Sequence, residues 1–469
     1  MYKYLFFDDQ KLFNREKLER AYGTPELIAD SIFHDGISST SLRTPFVFRC
    51  DDGKYRMIYQ GKVKEGTDHC FIAVSDDGIH FTPEDVTDRS ELADRVASHE
   101  LFKIPSGEIA EVIEDNYNDS NERYKMLLCE VDGENFAVHG VLLTSPDLIH
   151  WTKVEGVEWN GGAEPITGIV YSKERECFTI LLRPDWGVRR VGYVETKDWR
   201  TYTKYEMCLQ VDSLDRPLDE LYGMPAMEYY GHYIGFPMMY RGFKGVNNAK
   251  YFGGIIESEL AYSWDARHWQ RSLRTPFITG MTEQSEKAFG CKNYLLWASC
   301  FRIDDNGDIL IYSSVSGLEH GTAFSTPDMG RIAIWRVKKD RFISLNSDAE
   351  EGLLCTRENV WHSGEAHINL KAEKATVAVY MSSGNDNLGI SKPVDGYSHE
   401  DCIAFSGDSY DWVPAFRSGK TLNDLKGNTV AIEIKLTNGE LYSITADCKP
   451  AMNLEGARYR KFGTKPTSI

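Results

Sequence analysis

One seven-residue pattern occurs four times along the chain. Each copy reads Ser or Thr, any residue, Asp, three further residues and an aromatic residue, and each follows a short apolar run that is typical of a strand. The Asp can accept hydrogen bonds from backbone N–H groups of its own turn, and the aromatic residue begins the next strand. Copies about 50 to 70 residues apart predict one supersecondary unit used repeatedly. The copies are Ser75–Phe81, Ser145–Trp151, Thr196–Tyr202 and Ser263–Trp269.

The strand-like runs around these copies group in fours. In the first group, Arg43–Arg49, Tyr55–Gln60 and Phe71–Val74 precede Phe81, and Asp51–Gly53 is a hairpin turn. Such an antiparallel meander is one blade of a propeller. Five blades fit residues 30–345 better than any other number. The sequence therefore predicts an all-β fold with a five-bladed β-propeller.

Four further blades follow the first one. We expect the N-terminal strand, from Tyr2 to Phe7, to close the ring by joining the last blade, because closure removes exposed sheet edges. The predicted strands are 109–113, 124–130, 140–143 and 151–154, then 166–171, 178–183, 191–194 and one from 202, then 222–229, 233–240, 255–262 and 269–271, and finally 293–301, 309–314, 331–337 and 342–345.

The pattern changes after Leu345, where the Asp turns stop. Alternating strands separated by polar turns follow, which is typical of an antiparallel β-sandwich. We therefore predict two domains, a propeller at 1–345 and a C-terminal β-sandwich at 346–469. The predicted sandwich strands are 366–371, 375–381, 402–405, 429–436 and 440–444.

Composition excludes several classes of partner. A net charge of −18, with no run of Lys and Arg, argues against nucleic acid. No apolar run is long enough for a membrane span, and Met1–Arg20 lacks the apolar core of a signal peptide, so we expect a cytoplasmic protein. The ten Cys are scattered without a C-x-x-C pair, which favours free thiols. No ligand spacing demands a metal, and no cofactor is expected.

Several stretches resemble known families. Arg43–Arg49 with Asp52–Tyr59 resembles the blade-opening strands of glycoside hydrolase families 32 and 43, of which family 32 carries a β-sandwich after its propeller. Other stretches are similar to uncharacterised bacterial proteins of glycosyl-hydrolase type. These stretches are Phe7–Asp9, Tyr222–Pro225, Leu260–Ser263, Gly407–Ser409 and Leu441–Ser443.

The chain also departs from those families. The family 32 signature Trp-Met-Asn-Asp-Pro-Asn-Gly is absent, and Arg43-Thr44-Pro45 stands where a relative would have Arg-Asp-Pro. This leaves the base or nucleophile open, and with it the choice between an enzyme and a pseudoenzyme.

Glycoside cleavage needs two carboxyl groups, one to protonate the leaving oxygen and one to attack or to activate water. In a propeller they must lie where the innermost strands begin, and the resemblance implies that they come from the first three blades. It places the general acid at Glu164, which a following Pro holds extended. Asp35 is the candidate nucleophile or base, and Glu111 and Glu220 are supporting carboxylates. For each, a solvated turn, strand or capping residue is the alternative.

A second group of residues is predicted to bind substrate. A Trp face can stack on a sugar ring, and an Arg fork can hold hydroxyls or an anionic group. The alternative is a set of inter-blade ion pairs around a core Trp. We assign Asp77, Asp147, Asp198 and Asp265 of the repeated turns to the fold. The predicted substrate-binding residues are Asp9, His34, Arg43, Arg183, Trp186 and Tyr222.

Together these residues predict a glycoside hydrolase that acts on a small oligosaccharide. A preference for furanose sugars is implied by the resemblance alone. A glycoside phosphorylase is the second hypothesis, because basic residues such as Arg43 and His99 could hold phosphate. The third is a carbohydrate-binding propeller without catalysis, which the departure at Thr44 favours.

Overall fold

The fold is nearly all β, with 54% of residues in strands and 4% in helices. It was obtained as a computed structural model, which describes residues 1–38, 42–63, 66–131, 138–157, 164–184, 188–242, 253–320, 330–381 and 392–451. The chain forms two compact units. One is Pro25–Arg336, and the other combines Met1–Thr24 with Val337–Ile469.

The Pro25–Arg336 unit, here called the propeller unit, contains most of the strands and the α-helix. Short 3₁₀ turns at Ala29–Ser31 and Ser120–Glu122 connect strands. Its elements are β4 (Glu26–Leu27), β5 (Leu42–Arg49), β6 (Tyr55–Lys62), β7 (Asp68–Ser75), β8 (Thr82–Pro83), β9 (Glu100–Ile104), β10 (Glu108–Glu114), β11 (Tyr124–Val131), β12 (Val138–Ser145), β13 (Thr152–Lys153), β14 (Glu164–Ser172), β15 (Cys177–Arg183), β16 (Val191–Thr196), β17 (Glu206–Leu209), β18 (Asp219–Gly223), β19 (Ala226–Tyr229), β20 (His232–Gly235), β21 (Met238–Gly242), β22 (Gly254–Ser258), β23 (Ala261–Ser263), β24 (Trp269–Arg271), α1 (Glu283–Phe289), β25 (Leu295–Ile303), β26 (Ile309–Ser316) and β27 (Gly330–Val337).

The second unit holds the remaining strands, from both ends of the chain. A 3₁₀ turn at Leu422–Leu425 lies between its last two strands. Its strands are β1 (Tyr2–Leu5), β2 (Leu12–Glu16), β3 (Glu19–Tyr22), β28 (Ile343–Ser347), β29 (Gly352–Thr356), β30 (Asn359–Met381), β31 (Phe405–Trp412) and β32 (Thr429–Pro450).

Four antiparallel meanders of four strands form the blades. They are β5–β6–β7–β8, to which β9 adds on β7, then β10–β11–β12–β13, β14–β15–β16–β17, and β19–β20–β23–β24. The first three lie where the sequence predicts blades. In β5 to β6 the predicted turn is present, with Gly53 at a φ of +81°, a conformation that glycine adopts without strain. The propeller arrangement is thus confirmed.

All four predicted Asp turns fold in the same way. In the first, the Asp77 carboxylate accepts the N–H groups of Ile79 at 2.8 Å and His80 at 2.9 Å, while the Ser75 hydroxyl accepts the N–H of Gly78 at 3.0 Å. The residue after each Asp has a positive φ and turns toward the core. It is Gly78, Leu148, Trp199 or Ala266 in the four copies.

The fourth predicted blade is wrong in its strands. Each long run predicted between 222 and 262 is broken into two strands, one of which joins the meander β19–β20–β23–β24 and the other a seven-stranded sheet. Pro225 and Pro237 stand at two of the breaks. Proline lacks the N–H that a central strand donates, so these residues were the missed signal. The predicted number of five equivalent blades is therefore not confirmed.

The seven-stranded sheet completes the ring. Its order is β18–β21–β22–β25–β26–β27–β4, and Leu27 of β4 pairs with Trp335 of β27. The closing strand is thus β4 and not the N-terminal strand, because Tyr2–Leu5 pairs with β32 of the other unit. In the ring, β5 contacts both β25 and β10, β10 contacts β14, and β14 contacts β18.

The unit formed by both chain ends is one eight-stranded sheet. Its longest strands, β30 and β32, pair from Val360 opposite Lys449 to Met381 opposite Val430. The predicted last blade strand at 342–345 belongs here, as β28 between β3 and β32. A β-sandwich stays a prediction. So do the domain ranges 1–345 and 346–469, since compact units do not show which pieces fold independently. Within the described residues, no helix could cross a membrane.

Candidate functional site

Five strands around the centre of the propeller unit carry a β-bulge. A bulge leaves one residue out of the ladder and turns its side chain in a new direction, which is why bulges are common beside active sites. The register shifts lie between Arg43 and Phe46 in β5, Ile109 and Glu111 in β10, Glu164 and Gly168 in β14, Leu221 and Gly223 in β18, and Ala298 and Cys300 in β25.

A cavity opens at four of these bulges, and we call it the upper cavity. Most of its lining comes from the four strands concerned, β5, β10, β18 and β25. This is where the sequence places catalytic groups, at the beginning of the innermost strands. The side chains that matter for chemistry are those of Arg43, Glu108, Glu111, Tyr222, Trp297 and Ser299.

Glu111 is the buried carboxyl group of the upper cavity. The residue is 8% exposed and stands directly after the bulge in β10. Burial raises the pKa of Glu111 well above its usual range, and the Val112 N–H and the Arg302 charge oppose this only in part. The raised pKa favours the protonated form of Glu111, the form that can donate a proton in acid catalysis.

Arg43 lies between two carboxylates at the same cavity. Its guanidinium donates to Glu108 at 3.2 Å and to Asp68 at 3.1 Å. Glu108 and Glu111 are on one strand, and both line the cavity. The site thus combines an ion-paired carboxylate with a buried carboxyl group whose pKa is raised, a division that acid and base catalysis requires.

Thr44 has a strained backbone beside Arg43. Its φ is +49°, an outlier for a β-branched residue, and Pro45 follows it. The Thr44 N–H donates to the Ser314 hydroxyl at 3.0 Å. Strain of this kind costs about 1–3 kcal/mol and gathers at functional sites. Thr44 is also the position at which the chain departs from families 32 and 43, and it lies in the wall of the cavity.

Asp35 lies in a separate, closed hydrogen-bond network. Its carboxylate accepts the Ser38 hydroxyl at 2.7 Å, the Tyr59 hydroxyl at 3.2 Å and the N–H groups of Ile37 and Ser38. Burial would raise the pKa of Asp35, but His99 and the N–H and hydroxyl donors outweigh it and lower it to about 2. Asp35 does not line the upper cavity among the described residues. Its role as nucleophile or base stays a prediction.

Glu220 is held by Arg189 next to the upper cavity. The Arg189 guanidinium donates to the Glu220 carboxylate at 2.5 Å and lies 5.4 Å from the ring of Tyr222, which lines the cavity. Tyr222 thus lines the upper cavity and Glu220 is in an ion pair, while substrate binding by Tyr222 and a supporting catalytic role of Glu220 stay predictions.

Of two residues predicted in the third blade, one is not described and the other is described only by its backbone. Trp186 lies outside the described residues, and of Glu164 only the backbone is described, as the first residue of β14. Its backbone pairs with Arg183, a buried residue of β15. Glu164 as general acid and Arg183 and Trp186 as substrate-binding residues stay predictions.

His34 and Asp9 are placed away from the lining of the upper cavity. The His34 ring nitrogen accepts the N–H of Gly36 at 3.0 Å. Asp9 belongs to the other unit, where its carboxylate pairs with Arg15 and Arg20. These contacts are typical of residues that stabilise a turn. The predicted roles of His34 and Asp9 in substrate binding stay predictions.

The structure adds Glu108, Trp297 and Ser299 to the site. Glu108 directly precedes the apolar run that made Glu111 a candidate, so its position was a usable signal. Ser299 is at the bulge of β25, which no local pattern marks. Among the described residues, no cluster of three or more His, Cys, Asp or Glu could hold a metal ion.

Comparison with known proteins gives only distant similarities. No family model matches the chain, and no curated protein matches it. The chain is similar to solved structures of carbohydrate-active proteins. One is a glycosyl hydrolase of Bacteroides ovatus, with 15% identity over 67% of this chain and 94% of that one, at a TM-score of 0.42.

Two other similar structures differ in activity. One was described with the GH130 family of mannoside phosphorylases, which contains glycoside hydrolases that target β-1,2 mannosidic linkages in Candida mannan. It shares 15% identity over 67% of this chain and 94% of that one, with a TM-score of 0.40. The other is an N-acetylgalactosamine deacetylase from F. plautii in complex with blood group B trisaccharide, with 15% identity, 68% and 95% coverage and a TM-score of 0.41. Similarities this weak do not identify the reaction, and the likeness to families 32 and 43 is not confirmed.

Proposed function

We propose that the chain is a carbohydrate-active enzyme that hydrolyses a glycosidic bond of a small oligosaccharide in the upper cavity. The observation that carries this proposal is Glu111, a buried carboxylic acid beside the ion-paired carboxylate of Glu108. Hydrolysis of a glycoside needs such a pair. Trp297 and Tyr222 offer aromatic faces on which a sugar ring can stack.

Each group has a defined role in this reaction. Glu111 donates its proton to the glycosidic oxygen while the bond from that oxygen to the anomeric carbon breaks. Glu108 takes a proton from the water that attacks the anomeric carbon, or attacks it directly and is released by water in a second step. Arg43 holds the Glu108 carboxylate in place. We assign the acid to Glu111 in place of the predicted Glu164.

Phosphorolysis is the second candidate, since Arg43 lines the cavity and could contact phosphate. The charges favour hydrolysis, because Arg43 already contacts two carboxylates and Arg189 contacts Glu220. A phosphate dianion would meet repulsion from Glu108 and Asp68. Binding without catalysis is the third candidate, and it predicts no turnover at all.

The test is turnover of a panel of aryl furanosides and pyranosides, with and without phosphate. We expect hydrolysis without phosphate, and we expect Glu111→Gln to lower kcat by about 10²- to 10⁴-fold because proton donation is lost. Glu108→Gln should also reduce kcat. Glu155→Gln, which changes an exposed residue, is the matched control.

The outcomes separate the candidates. Turnover that requires phosphate would establish a phosphorylase. Turnover that Glu164→Gln abolishes and Glu111→Gln spares would restore the acid predicted from the sequence. Binding of oligosaccharides without turnover of any substrate would leave a carbohydrate-binding propeller. The active aryl glycoside would also show whether the furanose preference holds.

A further inference from the structure

A second cavity opens at the opposite ends of the innermost strands, and we call it the lower cavity. Its lining comes from the last residues of β10, β14 and β25 and from β19. It shares Glu111 and Ser299 with the upper cavity. Its volume of about 450 Å³ is in the range of small-molecule sites. The glycosidic reaction described above uses none of its other side chains.

One wall of the lower cavity is a pair of stacked tyrosines. The rings of Tyr117 and Tyr171 are 3.5 Å apart between centroids and inclined by 12°. Tyr171 also packs edge to face on Phe178, which fixes the pair to the core of its blade. Tyr117 is 52% exposed, so an aromatic face is held rigidly where a ligand can reach it. Such a face suits the C–H groups of a sugar ring.

Arg302 supplies a positive charge to the lining of the lower cavity. Its guanidinium lies 5.0 Å from the ring centre of Phe48 and donates to the carbonyl of Phe301 at 3.2 Å. No carboxylate of the described residues forms an ion pair with Arg302, and its Nε is buried without a hydrogen-bond partner there. The Arg302 charge also acts on Glu111, which lines the same cavity, but the two form no ion pair. A guanidinium that is held in place without an ion pair can bind a planar carboxylate with two parallel hydrogen bonds.

The other charged groups of the lower cavity nearly balance. Glu114 is paired with Arg123 at 2.7 Å. Lys173 and Glu228 are both exposed and carry opposite charges. Burial disfavours the charged form of Glu111, the remaining carboxyl group of the lining, so the positive charge at the site is mainly that of Arg302. This balance favours a ligand with one negative charge over a phosphate dianion.

We propose that the lower cavity is a binding site for a sugar ring that carries a carboxylate, that is, a uronic acid. In this site Arg302 binds the carboxylate and Tyr117 stacks on the ring. Lys173 and Glu228 at the rim can bond to the ring hydroxyls. The site would lie at the end of the propeller axis opposite to the reaction, so it can hold a ligand while the upper cavity is free.

The test is isothermal titration calorimetry with D-glucuronate, D-glucose, acetate and inorganic phosphate. We expect glucuronate to bind more tightly than the other three. Arg302→Gln should weaken it by at least about tenfold, the loss that corresponds to one charge-assisted contact. Tyr117→Ala should weaken it severalfold, whereas Trp297→Ala in the upper cavity and Arg49→Gln at an exposed ion pair should leave it unchanged.

Each other outcome would overturn the proposal. Equal binding of glucose would exclude recognition of the carboxylate, and equal binding of acetate or phosphate would exclude recognition of the ring. Loss of binding in Trp297→Ala would place the ligand in the upper cavity. Absence of binding by the wild type would leave a cavity filled by water. Arg302→Lys keeps the charge and shows whether the guanidinium itself is needed. Circular dichroism of each variant separates lost recognition from lost folding. Because no turnover is needed, failure here leaves the proposed function standing.

Discussion

Carboxyl groups at the turns of the blades and at the centre of the propeller unit have pKa values that are shifted in opposite directions. At the turns, Asp77 accepts two N–H groups and a hydroxyl from residues within three positions of it. Burial opposes ionisation there, but the N–H and imidazole of His80 outweigh it and lower the pKa of Asp77 below its usual range. At the centre, burial dominates and raises the pKa of Glu111.

The difference shows that burial and hydrogen-bond donors together set the pKa of a carboxyl group. Where the chain supplies donors locally, the carboxylate is ionised and serves the fold. Where burial is deep and donors are few, as around Glu111, the pKa is raised and the protonated form is favoured, which makes such a group a candidate for chemistry. A third case is an acid neutralised by an Arg distant in sequence, as in the cluster around Arg241. Substitutions in the three classes should therefore differ in size and in pH dependence.

The largest effect on stability is expected from Arg241→Met. Arg241 is 7% exposed and donates to Asp219 and Glu259, each at 2.7 Å. Removing it takes the shared cation from two buried carboxylates, of which Glu259 keeps Arg271 and Asp219 keeps Arg216. Breaking a buried pair typically costs about 3–5 kcal/mol, and these remaining partners should keep the loss near the lower value. Urea denaturation should show this loss in the free energy of unfolding. Arg49→Met is the control, because its ion pair with Asp305 is exposed and should contribute about 0–1 kcal/mol.

How much the sequence predicts depends on the same distinction between near and distant partners. The Asp turns were predictable because every donor is within a few residues of the acid. Glu111 was predictable as a cavity residue because a carboxyl inside an apolar run is unusual. The closed network of Asp35 was not, since Tyr59 and His99 come from other strands and loops.

The same reasoning covers the fold. Three blades were predictable from alternating strands between clear turns. The breaks at Pro225 and Pro237 were marked in the sequence, yet the exchange of their strands between two sheets depends on pairing with β25 across a long loop. The assignment of Tyr2–Leu5 to β32 depends on residues at the far end of the chain. Local patterns do not encode such pairings.

A second substitution, Glu111→Gln, should stabilise the fold near neutral pH, whereas Arg241→Met should destabilise it. The pKa of Glu111 is higher in the folded state than in the unfolded state, because burial disfavours the charged carboxylate. Below the unfolded-state pKa of about 4.3, wild type therefore has its full stability relative to the variant. It loses this stability as the pH rises through the folded-state pKa.

Over that pH interval the variant should gain on wild type by up to about 1.4 kcal/mol per pH unit. Urea denaturation of both proteins between pH 4 and pH 8 measures the gain. A difference that does not change with pH would mean that Glu111 is ionised in the folded state, and would remove the acid from the proposed mechanism.

The smallest effect is expected at a blade turn, from Asp77→Ala. The variant loses the acceptor for the N–H groups of Ile79 and His80, which we compare with the loss of a helix N-cap, about 1–2 kcal/mol. Because the pKa of Asp77 is lowered on folding, its contribution is present above the unfolded-state pKa of about 3.9 and is lost as the pH falls. The destabilisation should thus shrink in acid, opposite to Glu111. Asp76→Ala, at an exposed neighbour whose contact is with Lys54 at 3.5 Å, is the control. Equal effects of the two variants would show that the repeated Asp contributes charge to the surface and not hydrogen bonds to the turn.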